Sequence, residues 1–206
     1  GMTAGAALAG GMLVAPVAFS VVEVVGYRQG RFGRAFWESP LDAKLDHVGQ
    51  HSHAWWLMTL PWFPILAVTT AGLAGLSFLL ADVAAWTAFG LFILAAEAWL
   101  IAMSLQHGTT TVAAQRRAQT GDTPDWAVAV WQAGFVLEQV WIVLANLAAV
   151  GYGVAVLRTD VLPGWLGWAA IMAGLAIPIL VLLTRDGFPE LALPAYLALG
   201  VALLMT

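Results

Sequence analysis

Residues Trp131 to Asn146 read WQAGFVLEQVWIVLAN, in the middle of the longest apolar run of the chain, and they set Gln132, Gln139 and Asn146 seven residues apart. At that spacing the three amides share one stripe of a helix, with Glu138 beside the middle one. An amide or carboxyl group in hydrocarbon is costly unless it meets a partner, a cavity or water, so the stripe is expected to face inward. The stretch therefore predicts an all-α polytopic membrane protein with a polar interior.

Composition agrees. Of the 206 residues 61% are hydrophobic and only 10% charged, against about 25% charged in an ordinary soluble domain. A soluble fold of this length would have to cover a large exterior with polar atoms, so lipid is the expected solvent. The formal charge is -4 and no basic tract is longer than Arg116-Arg117, which argues against nucleic acid as a partner. Cysteine is absent, which removes disulfides, thiolate metal sites and cysteine nucleophiles.

Six transmembrane helices are expected in one integral membrane domain over residues 1–206, at about 4–26, 54–80, 83–107, 126–156, 165–184 and 191–206. The first lacks a basic leader and outlasts a signal-peptide core, so it reads as a retained span. Its Gly10-Gly11 pair gives a thin waist where a neighbouring backbone can approach. Spans two and three form a tight hairpin at Asp82, Pro61 and Pro64 interrupt span two, and the tail after His107 continues as helix to about Arg117. Between spans one and two, Ser39-Pro40 opens LDAKLDHVGQHSH. This reads as a short interfacial helix with Pro40 at its first position, Leu41, Leu45 and Val48 on one side and Asp42, Lys44 and Asp46 on the other. Seven of the eight basic residues, Arg158 being the exception, fall in loops on one side of this topology. The positive-inside rule then predicts a multi-pass protein of the inner (plasma) membrane with both termini outside the cytoplasm.

Glu97 and Glu138 are each expected ~15 to 18 Å deep in a ~30 Å core, at one level and facing each other. Two carboxyl groups in low dielectric do not both ionise, so the pair reads as one proton donor and one acceptor, the candidate catalytic residues. A purely packing role is the competing reading, each acid bonding to an amide such as Gln132 or Gln139.

His47 and His51 stand four apart, a common metal-ligand spacing, with His53 just beyond. Folding the hairpin at Asp82 brings His107 level with about residue 57, so all four histidines gather at the cytoplasmic rim. They are candidate ligands for a transition metal or a haem, with Asp46, Gln106 or Glu23 as further partners. Among the eleven tryptophans, Trp131 and Trp141 flank Glu138. With Trp99, Gln132, Gln139 and Asn146 they are candidate binding residues for a hydrophobic small molecule.

The segment GVAVLRTDVLPGWLGWAAIMAGL, residues 153 to 175, resembles a pattern of uncharacterised bacterial six-span integral membrane proteins: an arginine, a Leu-Pro pair and a Trp-Leu-Gly-Trp entry into the next span. Glu97 and a histidine before span two are also similar to that group. The resemblance implies a six-helix bundle and nothing about chemistry.

Three functions fit these residues. The first is binding of an apolar, lipid-like or isoprenoid-like molecule in a pocket within the bundle, with Glu97 and Glu138 supplying acid and base if it is an isomerase or lyase of the cyclisation type. The second is a metal or haem protein built on the histidines. The third is a proton-coupled transporter or channel with the glutamates as relay.

Overall fold

The computed structural model describes residues 4–29, 32–184 and 193–205, and the side chains of all of these except 17–29, 34 and 59. Among the described residues the chain is helical with no strand. In order come α1 (Ala4–Gln29), α2 (Arg34–Glu38), α3 (Leu41–Gln50), α4 (Ser52–Thr59), α5 (Trp62–Leu80) and α6 (Val83–Met103). A π-helical turn, Ser104–Gly108, joins α6 to α7 (Thr109–Thr120), and α8 (Asp125–Arg158), α9 (Gly164–Thr184) and α10 (Pro194–Met205) follow. Glu23 and Arg185, the latter one of the basic residues behind the orientation, lie outside the described side chains.

Four helical segments are long and apolar enough to cross a membrane: Ser52–Leu80, Val83–Thr120, Asp125–Arg158 and Gly164–Thr184. Two further apolar stretches, Ala4–Pro16 and Pro194–Met205, are shorter. Local chemistry sets the boundaries. Ala81 adopts the left-handed conformation at φ 49°, and the Asp82 carboxylate accepts the Ala84 N–H at 2.8 Å to cap α6. That forms the hairpin expected of spans two and three. Pro61 cannot continue the helix before it, so α4 and α5 meet at a break there. Gly121, at φ 81°, ends α7, slightly beyond the expected Arg117.

Helix α8 is the axis of the bundle, packing most extensively against α6 on one side and α9 on the other. The α8–α9 contact is backbone on backbone. A Cβ on Gly153 would stand 2.6 Å from the Gly167 carbonyl oxygen, and one on Gly167 would stand 2.7 Å from that of Gly153. Close packing of this kind is what holds apolar helices together where lipid, rather than water, surrounds them. The waist at Gly10 serves the same end against Gly200 of α10, whereas a Cβ on Gly11 would meet nothing within 4 Å.

Polar groups in the core are bonded locally. The Ser77 hydroxyl lies 3.0 Å from the Tyr152 hydroxyl, which donates to the Leu73 carbonyl at 3.2 Å. Tyr196 donates to the Ala145 carbonyl. At one end of the bundle Arg158 and Asp82 pair at 3.4 Å, tying the α5–α6 turn to the α8–α9 turn. The contacts of Gly72 with Leu13 and of Gly200 with Leu13 and Val14 run α1 antiparallel to both α5 and α10, so both described chain ends lie at this turn end. The opposite end carries α2, α3 and α7, and we refer to it as the rim.

Candidate functional site at the rim

The rim is a second hydrophobic cluster, separate from the main core, in which Phe32, Phe36, Leu45, Val48, Trp55, Ala113, Ala114 and Ala127 are buried. Trp55 is its centre, at 0% exposure. The indole stacks on the His107 ring with centroids 4.3 Å apart and planes 22° apart, and its Nε1 donates to the His107 carbonyl at 3.4 Å. Phe32 and Phe36 lie 5.3 and 5.6 Å from the same indole, and Trp37 lies 6.4 Å away. His107 reaches Trp55 because the π-helical turn Ser104–Gly108 adds a residue to the helical register, and both Gln106 and His107 are buried there. Gln106 packs on Gly134, where a Cβ would come 2.4 Å from its Cγ.

Helix α3 closes the rim. It lies against α7 and is latched by Arg117, whose Nε and second guanidinium nitrogen donate to the two Asp46 oxygens at 2.6 and 3.2 Å. Arg117 also donates to Thr123 at 2.8 Å and stands 3.5 Å from Asp42, while the Thr123 hydroxyl donates to Asp42 at 2.5 Å. The guanidinium's hydrogen bond to Asp46 holds that carboxyl below its ordinary value.

Lys44 corrects an expectation. It was expected on the polar side of α3 with Asp42 and Asp46, but it is buried at 8% exposure, with its Nζ 5.1 Å from the centre of the Trp131 ring. At 100° per residue Lys44 falls about 40° from Val48 and about 160° from Asp46, so the helix geometry puts it beside the apolar face. His47 and His51, three and seven residues on, continue the same flank. Desolvation pulls the Lys44 ammonium below its ordinary value, and among the described residues no carboxylate pairs with it. His47 lies edge-on to Phe32 at 5.1 Å, and its buried Nε2 has no hydrogen-bond partner among the described residues. Pro40 also differs by one position, since it precedes the first turn of α3, while the Ser39 hydroxyl donates back to the Phe36 carbonyl at 2.7 Å.

The structure does not gather the four histidines at one point. His47 and His51 are adjacent, with ring centroids 4.6 Å apart, but the His51 Nδ1 is engaged with the His47 carbonyl at 3.1 Å. The helix breaks at His51, where φ and ψ are -132° and 35°, and this turns His53 out to an exposed position. His107 is occupied by its stack on Trp55. Among the described residues no group of three histidine or carboxylate side chains could hold a metal ion.

The two glutamates are not brought together either. The face of α6 turned to α8 carries Ala85, Ala88, Phe92, Ala95, Trp99 and Ala102, while Glu97 is exposed on the opposite side. The packing of Gly151 on Ala88 and of Gly134 on Gln106 fixes the antiparallel register. On that register Glu138, half-buried, stands opposite Ile101 or Ala102, roughly 7 Å nearer the rim than Glu97 at 1.5 Å per residue. The amide stripe grades from Gln132, exposed, through Gln139, half-buried, to Asn146, buried, and Asn146 lies where Gly174 of α9 packs on α8. Asn146 donates to the Ile142 carbonyl at 2.8 Å. Gln139 Nε2 and Trp99 Nε1 are buried and have no hydrogen-bond partner among the described residues.

The tryptophans proposed as pocket walls divide between two places. Trp99 and Trp141 pack in the main core, 6.1 Å apart, with Trp62 against the first and Phe92 against the second. Trp131 belongs to the rim, 6.3 Å from Trp37. Sequence reasoning passed over Phe32, Phe36, Trp37 and Lys44 as rim residues, and of these Lys44 was legible from its spacing to His47 and His51. Set against family models, curated proteins and solved structures, the chain matches none, so the site rests on its own geometry.

Proposed function

We propose that this protein is a six-span helical protein of the inner membrane, with both termini outside the cytoplasm, that binds the acidic head of a lipid-like or isoprenoid-like small molecule at the rim. One observation carries the reading: Lys44 is buried with its Nζ over the Trp131 ring and no carboxylate beside it among the described residues. A buried cation without an anion is costly, and a phosphate or carboxylate head would supply the missing charge. The unpartnered Nε2 of His47 lies on the same flank of α3 and offers a second hydrogen bond to such a head. The rings of Trp131, Trp37 and Phe36 give the apolar surroundings that an alkyl or prenyl chain prefers. The reading is one of binding, because the isomerase and relay readings both need facing glutamates, and Glu97 lies on the outer face of α6.

One feature supports the orientation: of the described basic side chains, Lys44, Arg116 and Arg117 lie at the rim end, away from both described chain ends, and Arg158 alone lies at the turn end, as the positive-inside rule asks of a rim in the cytoplasm. Six crossings would need the shorter helices α1 and α10 beside the four long ones.

The test is mass spectrometry of lipids extracted from protein purified in a mild detergent. An acidic amphiphile near one per chain, lost in Lys44→Met while the variant stays folded, is the expected result. Neutral lipid only, or an acidic lipid retained equally by Lys44→Met, would remove the proposal.

A further inference from the structure

One exposed stripe runs the length of α6. Val83, Thr87, Gly90, Leu94, Glu97 and Ile101, continued by Ser104, are exposed in steps of four and three, with Trp86 exposed at the stripe's edge. That is the seven-residue period of two helices crossing at a shallow left-handed angle. The stretch is ~32 Å long at 1.5 Å per residue, close to the thickness of a bilayer core. The exposed face of α9 differs: Trp165, Trp168, Met172, Leu175, Ile179 and Leu183 are all apolar, as contact with lipid asks.

On the α6 face the Thr87 and Ser104 hydroxyls return to their own helix, donating to the Val83 and Leu100 carbonyls at 2.9 and 2.8 Å. Glu97 does not. It stands between Leu94 and Ile101, one turn away on either side and 54% and 52% exposed, and among the described residues it has no hydrogen-bond or ion-pair partner. Acyl chains offer a carboxyl group nothing to bond.

We propose that this face of α6 is a self-association surface on which Glu97 of one copy bonds Glu97 of a second copy. A closed pair of chains inserted with the same topology is related by a two-fold axis along the membrane normal, which sets residues of α6 opposite their own copies. A carboxyl group suits that symmetry, because it carries a donor and an acceptor: the O–H of one glutamic acid donates to a carboxyl oxygen of the other. Gly90 lets the helices approach, since a Cβ there would meet nothing within 4 Å of its own chain. The surface is independent of the rim site.

The chain has no cysteine, so single cysteines report contacts without background. In vesicles of neutral phospholipid, Leu94→Cys and Ile101→Cys are expected to form disulfide-linked dimers on mild oxidation, and Met172→Cys and Leu175→Cys on α9 are not. Energy transfer between labelled chains is expected to show at least tenfold weaker association for Glu97→Ala and for Gly90→Leu, with helicity unchanged. Glu97→Gln, whose amide is also self-complementary, is expected to retain it. Wild-type protein that stays monomeric as the lipid-to-protein ratio falls, cross-linking at α9 as strong as at α6, or association indifferent to Glu97→Ala would each overturn the proposal. The first of these would mean that the face meets lipid or another protein.

Discussion

Replacing Gly153 by alanine inserts one methyl group where α8 and α9 touch. Its carbon would stand 2.6 Å from the Gly167 carbonyl oxygen and 2.8 Å from Ile171 Cγ1, whereas ordinary contact begins at 3.4 Å. The helices would have to part by about 0.8 Å, and the obstructing oxygen is backbone, so no rotamer change relieves it. Overpacking of this kind costs about 1–3 kcal/mol, on top of which alanine gains up to ~1 kcal/mol of helix propensity over glycine. Gly11→Ala isolates the second contribution, because a Cβ there meets nothing within 4 Å. Gly153→Ala is therefore expected to lose about 1–3 kcal/mol relative to Gly11→Ala. Gly134→Ala should fall between them, since its obstruction is the Gln106 side chain, which can shift. Reversible unfolding in mixed micelles with rising dodecyl sulfate measures all three. Equal stabilities for Gly153→Ala and Gly11→Ala would refute the backbone-on-backbone packing of α8 and α9.

Other consequences concern the latch and the core hydroxyls. The Asp46 carboxyl is held low by its hydrogen bond to Arg117, so the latch stabilises the fold at pH values above the ordinary carboxylate range and loses that contribution as pH falls through the folded value. Protection of the α3 amides, taken relative to their intrinsic exchange rate at each pH, should fall below about pH 4. Arg117→Gln should show the reduced protection already at pH 7, with no further step on acidification, and protection that stays high in both would count against the latch. Tyr152→Phe removes the hydroxyl shared with Ser77 and Leu73 and should cost about 1 kcal/mol. Adding Ser77→Ala should cost less than its own single change, because the two act in one network. Strict additivity in a double-mutant cycle would show that the hydroxyls are not coupled.

The long helices were readable because lipid imposes length and apolarity together. The breaks were readable because Pro61, Asp82 and Gly121 act through backbone chemistry that is local. What the sequence concealed is azimuth. Helix α6 is apolar all round, so nothing in its hydropathy separates the face toward α8 from the face toward the exterior, and the cost of a carboxyl group in hydrocarbon alone argues for an inward Glu97. The signal that did mark the packed face is size: Ala85, Ala88, Ala95 and Ala102 recur where α6 meets α8, as close packing in lipid demands. The histidines diverge for another local reason: HVGQHSH reads as one continuous helix, yet the helix breaks at His51 and sends His53 outward. The π-helical turn that swings His107 onto Trp55 has no sequence signature, since it depends on what α8 and α4 offer from across the rim.

The direct test of the rim site is a pair of titrations in nanodiscs, following the tryptophan fluorescence of the rim with dodecyl phosphate and with dodecanol. The account predicts that wild-type protein binds the phosphate at least tenfold more tightly, and that Lys44→Met brings the two to the same affinity. Equal affinities in the wild type, or a preference for phosphate that survives Lys44→Met, would contradict it.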